Sequence, residues 1–297
     1  SMSFVMRPYS RNIKRYFMQS CTISMLFPIE KIPYYESFHL QYSLATSSNF
    51  ILFELMEKAS EEEVFELFES FHGNLDDYKR AQMLMMGAHM SMTCPQAKES
   101  RGLLLDKFFI SMAKRKTKPK ELLANFLNAK EFILIYAIFE NVLKGEFLRL
   151  GILAEGKFMR EKDLFKFLND KLSKQDMMDD FVKCLSQRSP IKDFETLTTF
   201  WKFFTHIRHL YTHSGGMVTA KWIATYINLK TNLEDKVYLF DDLFLKQRLN
   251  SAIDGFEPEV GQIFNANDHF SNIFRNLIVY IMEALYLSEI KAVKKLA

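Results

Sequence analysis

The stretch "THIRHLYTHSGG", residues 205–216, gathers His206, Arg208, His209 and His213 ahead of two glycines, in a chain with seven histidines. Two kinds of chemistry use such a set. His206, His209 and His213 fall at i, i+3 and i+7, so on a helix they share one face and can begin a metal site. A metal also needs ligands from a second element, and the only candidate we find is the carboxylate of Glu140, since no HxxH or HExxH companion occurs. The alternative pairs a permanent guanidinium with an imidazole that titrates near neutrality, at a pKa of about 6.5. Arg208 can hold a phosphate and a histidine can move a proton. That is the minimum for cleaving RNA by attack of the ribose 2′-hydroxyl, with no metal and no cofactor.

Spacing raises an objection. Five residues at roughly 100° each put Arg208 and His213 about 140° apart on an ideal helix. They converge on one phosphate if the helix loosens before His213, and the Ser214-Gly215-Gly216 run makes a helix end there. Alternatively, two copies face each other across a dimer axis and pool their arginines and histidines in one cleft.

The elements that must position these residues are helical. The 297 residues are 48% hydrophobic and 25% charged, enough for a full core in one large or two ordinary domains. Only 10 Gly and 7 Pro interrupt a chain with 29 Phe, so few helix breakers accompany thick, aromatic-packed cores. Cys21, Cys94 and Cys184 lie far apart without metal-ligand spacing, which suits a reducing, cytoplasmic setting. A net charge of +3 argues against a bulk electrostatic nucleic-acid binder but permits a local basic patch. The longest apolar run, 132–139, is too short to span a bilayer and is bracketed by Glu131 and Glu140, so no membrane association is expected. Arg7, Arg11, Lys14 and Arg15 precede the first acid, Glu30, a bias that can mark a transit peptide; a structured N-terminal segment is the expectation here.

The basic seam "AKRKTKPKE" divides the chain into an N-terminal helical region of unknown role (1–113), a basic linker (114–120) and a helical domain (121–297). In the first region Ser60 and Glu63 form a capping box, His72-Gly73 ends a helix, and the methionines at 83, 85, 86, 90 and 92 read as core filling. In the second, "ELLANFLNAKEFILIYAIFENVLKG" predicts a long helix ended by Gly145, followed by two short amphipathic pieces. Ser189-Pro190 is expected to cap the helix carrying the histidines. "MVTAKWIATYINL" reads as helix or strand, and Asn267-Asp268 as the start of a final helix.

Within this setting "RHLYTH", Arg208 to His213, resembles the R-polar-xxx-H signature of the HEPN superfamily, with His209 at the polar position. "FILIYAIFENVL" is similar to that family's earlier core helix, which often carries a glutamate where Glu140 stands. "HSGGMVTAKWI" resembles its turn after the histidine. The resemblance covers roughly residues 120–297 and implies an all-α, HEPN-like helical bundle with an additional N-terminal helical region. It further implies a metal-independent endoribonuclease of the toxin or phage-defence type, acting on RNA as a homodimer and restrained by an antitoxin or regulatory partner. The alternative it implies is a catalytically inactive interaction module. On the active reading His213 is the general acid or base, Arg208 stabilises charge on the phosphorane-like transition state, and His209 orients the site or binds phosphate. Glu140 lies on a largely apolar face, where a carboxylate is costly unless paired with Arg208 or a histidine; a structural salt bridge and a direct catalytic role are equally weighted. His206, beside Trp201, Phe203 and Phe204, reads as a packed histidine. Tyr211 and Trp222 read as core, although either ring could stack on a base.

Overall fold

A computed structural model describes residues 32–66, 118–157, 159–238 and 258–296. They form α1 (Pro33–Lys58), α2 (Pro119–Arg149), a 3₁₀ turn (Glu161–Asp163), α3 (Leu164–Lys174), α4 (Met178–Arg188), α5 (Phe194–Ser214), α6 (Ala220–Tyr238) and α7 (Asp268–Leu296). The all-α expectation is met. Among the described residues no strand occurs, and the one departure is an isolated antiparallel bridge between Met217 and Ile263. "MVTAKWIATYINL" resolves accordingly: Met217 makes the bridge and the residues from Ala220 are helical.

Helix α2 is the axis of the bundle. Its Phe132, Tyr136, Phe139, Leu143 and Phe147 are buried, and aromatic side chains of α5 and α7 close around them. Phe132 meets Phe274 edge to face at 4.6 Å, and Tyr136 stacks on Trp201 at 4.5 Å. Such ring pairs add roughly 0.5–1.5 kcal/mol each beyond the area they bury, so the abundant phenylalanine acts as bundle core. Helix α2 is also long and apolar enough to cross a membrane, and half of that stretch is buried within the protein.

Helix α1 lies antiparallel along α2 and shares this core through Tyr34, Phe38, Tyr42 and Ala45. Two polar contacts set its register: Asn49 donates to Glu131, and Lys120 Nζ donates to the carbonyl of Ala59. Glu131 is in turn held by Arg275 of α7 at 2.7 Å, both side chains being buried.

Local signals account for several boundaries. The Ser60–Glu63 capping box forms reciprocally: Ser60 N–H donates to the Glu63 carboxylate and Glu63 N–H donates to Ser60 Oγ. Asn267 caps α7 by accepting from Phe270 N–H at 3.0 Å. Two boundaries differ from expectation. Gly145 does not end α2, which continues to Arg149 because the next turn carries buried Glu146 and Phe147 into the core. The α5 cap is Asp193 rather than Ser189, its carboxylate accepting from Thr196 N–H at 2.6 Å. Ser189 closes α4 instead, its hydroxyl donating to the Leu185 carbonyl. The expected helix end at His72-Gly73, the methionine-rich stretch, Cys21, Cys94 and most of the basic linker lie outside the described residues.

Candidate functional site

Helix α5 presents the histidine-bearing stretch. Phe200, Trp201, Phe203, Phe204, Ile207 and Leu210 turn into the core, which fixes where the polar residues between them point. The helix stays regular through Ser214 and ends at Gly215, in the left-handed conformation at φ 59°. Gly216 follows at φ 86°, and a Cβ on it would lie 2.8 Å from Tyr211 Cε1. Both glycines are therefore required by backbone geometry. The exit is pinned further by Tyr211, whose hydroxyl donates to the Phe264 carbonyl at 2.8 Å, and by Phe264 N–H, which donates to the Gly216 carbonyl. The loosening before His213 that would turn it toward Arg208 does not occur. The helix breaks after His213, not before it.

Arg208 projects toward α2 and the 3₁₀ turn. Its guanidinium is in direct contact with the Glu161 carboxylate and lies 4.0 Å from Glu140 Oε2. It also packs over the Tyr136 ring, with Cζ 5.2 Å from the centroid, and the Tyr136 hydroxyl is hydrogen-bonded to Thr205 Oγ1 at 2.8 Å. The three charged side chains are 19% (Arg208), 18% (Glu161) and 16% (Glu140) exposed, so each is partly desolvated. Burial raises the Glu140 carboxyl above its usual value, while Arg208 and Lys144 pull it back.

His209 lies beside this cluster, with Nε2 2.8 Å from Glu161 Oε2. Burial, then the charge of Arg208 and that of His213, hold its imidazole below the ordinary value. Among the described residues Glu161 Oε2 accepts no hydrogen bond, so the contact to His209 is one of proximity. His213 stacks on His209, ring centroids 5.4 Å apart and planes 18° apart. It is exposed at the end of α5, and among the described residues its ring nitrogens make no hydrogen bond or ion pair.

His206 belongs to a separate arrangement. Its Nε2 is 3.0 Å from the Trp222 carbonyl, the Trp222 indole N–H donates back to the His206 carbonyl, and the two rings stack at 4.9 Å. Trp222 is itself buried against Tyr226 and Phe264. The three-histidine stripe is thus divided, and among the described residues no three His, Cys, Asp or Glu side chains converge as a metal-ligand set.

The structure brings together Arg208, His209 and Glu140, places His213 next to His209, and directs His206 elsewhere. Glu161, which occupies the centre of the cluster, was missed by sequence reasoning. The available signal was indirect: a half-buried arginine needs an acidic partner. Many acids could serve, and only the packing of the 3₁₀ turn on α5 selects this one. The fold and site together define an all-helical protein with a clamped cation and an exposed histidine pair at one helix end. No family model, curated protein or solved structure matches the chain.

Proposed function

We infer that the C-terminal end of α5 is one half of a metal-independent RNA-cleaving site, completed when a second copy of the chain brings its own α5 end across a two-fold axis. The carrying observation is the exposed His213, without a hydrogen-bond or ion-pair partner among the described residues, at a helix end that also holds Arg208. An imidazole without an internal partner is available to a substrate, and the neighbouring guanidinium matches a phosphodiester. The R-polar-xxx-H resemblance supports the same reading. In the reaction, one imidazole takes the proton of the ribose 2′-hydroxyl as that oxygen attacks phosphorus. The same ring, now protonated, gives that proton to the departing 5′-oxygen, leaving a 2′,3′-cyclic phosphate and a 5′-hydroxyl. Arg208 offsets the charge that grows on the non-bridging oxygens. His213 is the acid or base, His209 its orienting neighbour, and Glu140 holds Arg208. The resemblance suggests a cytoplasmic enzyme of a toxin or phage-defence system under the control of a protein partner.

The test is incubation of the full chain with structured and single-stranded RNA in excess chelator, beside His213→Ala and Arg208→Ala. Cleavage that survives chelation and disappears in both variants is the expected result. Loss on chelation would return the metal reading, and absence of cleavage by the wild-type chain on every RNA would defeat the enzyme reading.

One observation favours the inactive interaction module as the second reading. Arg208 is already paired with Glu161, as a structural ion pair would be. On that reading the cluster shapes an interface, and variants change the oligomeric state without any turnover to lose.

A further inference from the structure

Arg208 and His209 converge on the two oxygens of one carboxylate, that of Glu161. A guanidinium and an imidazole aimed at adjacent oxygens of an anion is also how a phosphodiester would be held. We propose that Glu161 is an internal plug: its carboxylate occupies the Arg208–His209 oxyanion site, and a phosphate group of the ligand must displace it. This deepens the RNA-cleaving reading and rests on it for the identity of the anion, but not for the existence of the plug.

Three observations carry the proposal. First, Arg208 does not need Glu161 to be positioned. Tyr136 packs beneath the guanidinium, Thr205 holds the Tyr136 hydroxyl, and Glu140 stands at 4.0 Å. Second, the cation is already occupied. The guanidinium is in contact with the Glu161 carboxylate and has Glu140 at 4.0 Å, so a phosphodiester gains little from Arg208 while Glu161 stays in place. Third, Glu161 is built to swing out. Its backbone carbonyl is reached by the Trp201 indole N–H at 3.5 Å, whereas its Oε2 meets His209 Nε2 at 2.8 Å without hydrogen-bond geometry. A contact without hydrogen-bond geometry holds the closed position less firmly than a fully satisfied pair would. Glu140 does not take this role: it sits mid-helix in α2, and its Oε2 stands 4.0 Å from the guanidinium rather than against it.

The test is a titration of the full chain with inorganic phosphate, at fixed pH and constant ionic strength, followed through the histidine ring ¹H–¹⁵N resonances. Glu161→Gln keeps the shape and removes the charge. It should bind phosphate about tenfold more tightly than the wild type, a gain expected when a competing charge-assisted contact is removed. Adding Arg208→Ala to Glu161→Gln should abolish that gain. If Glu161→Gln does not fold, Glu161→Asp, whose shorter stem withdraws the carboxylate from Arg208, carries the same expectation. Equal phosphate affinity in the wild type and the folded Glu161 variant overturns the plug, as does a gain that survives Arg208→Ala. The two readings separate in a parallel RNA assay with chelator. Tighter phosphate binding without RNA cleavage leaves the plug standing and removes the RNA reading. Cleavage with unchanged phosphate affinity does the reverse.

Discussion

Arg208 and His213 leave α5 about 140° apart, on a helix that stays regular to Ser214. One is turned inward onto Glu161 and Tyr136, and the other stands in solvent stacked on His209. The pair therefore does not close on one phosphate within a single chain, and the proposed site is composite. Arg208→Ala and His213→Ala should each be inactive alone, whereas a mixture allowed to exchange subunits should regain about a quarter of wild-type cleavage. Half of the random dimers are then mixed, and each of those holds one intact site out of two. RNA cleavage assays on the mixture check this; no recovery after verified exchange would place both groups of the working site on one chain.

The two flanking histidines should separate in stability. His213→Ala removes an exposed ring and should change stability by no more than about 0.5 kcal/mol while losing cleavage. His206→Ala removes the stack on Trp222 and the contact with its carbonyl, and should cost about 1–3 kcal/mol. Below its melting temperature it should retain cleavage. Denaturant unfolding beside the RNA assay reads both, and the opposite ranking would mean that the roles are reversed.

Gly216 is the position where the turn tolerates least. Its φ of 86° is rare for any residue with a Cβ, and that Cβ would press on Tyr211, the side chain that anchors Phe264. Gly216→Ala should destabilise by about 1–3 kcal/mol. Gly215→Ala carries the backbone strain alone, since nothing lies within 4 Å of its Cβ, and should cost less. Thermal melts of the two variants give the comparison.

Stability should fall as the medium is acidified. Burial holds His206 below its ordinary value, and burial with Arg208 and His213 does the same for His209. A folded-state value below the unfolded one of about 6.5 means that the fold favours the neutral ring. That stability is fully present above pH 6.5 or so, and is lost as pH falls through the depressed folded values. Glu140 works in the opposite sense at lower pH, because burial raises its carboxyl and protonation then relieves a penalty. Melting temperatures from about pH 7 to about pH 5.5 should decline in the wild type and decline less in His206→Gln. An identical slope in both would remove His206 from this account.

Much of the architecture was legible in the sequence, for a local reason. A capping box joins residues three apart, so Ser60 and Glu63 announce their helix start without the rest of the fold, and Asn267 does the same for α7. The glycine pair after Ser214 likewise marks an end that any chain with that φ requirement must take. Apolar periodicity placed the long helices and the burial of His206 beside aromatic residues. Local signals failed where two competed. Gly145 reads as a terminator until the burial of Glu146 and Phe147 outweighs its helix cost, and Ser189 reads as a cap until Asp193 reaches Thr196 first.

The sequence alone determined that the protein is helical, that α5 ends at its glycines, and that an arginine and three histidines lie together near that end. Tertiary structure decided what those residues are to one another. Packing α5 against α2 and the 3₁₀ turn placed Arg208 on Tyr136 between Glu140 and Glu161, drew His206 onto Trp222, and left His213 outside. No spacing rule encodes these contacts. They join elements distant in the chain, and the partner of a half-buried charge is whichever opposite charge the closing core brings within reach.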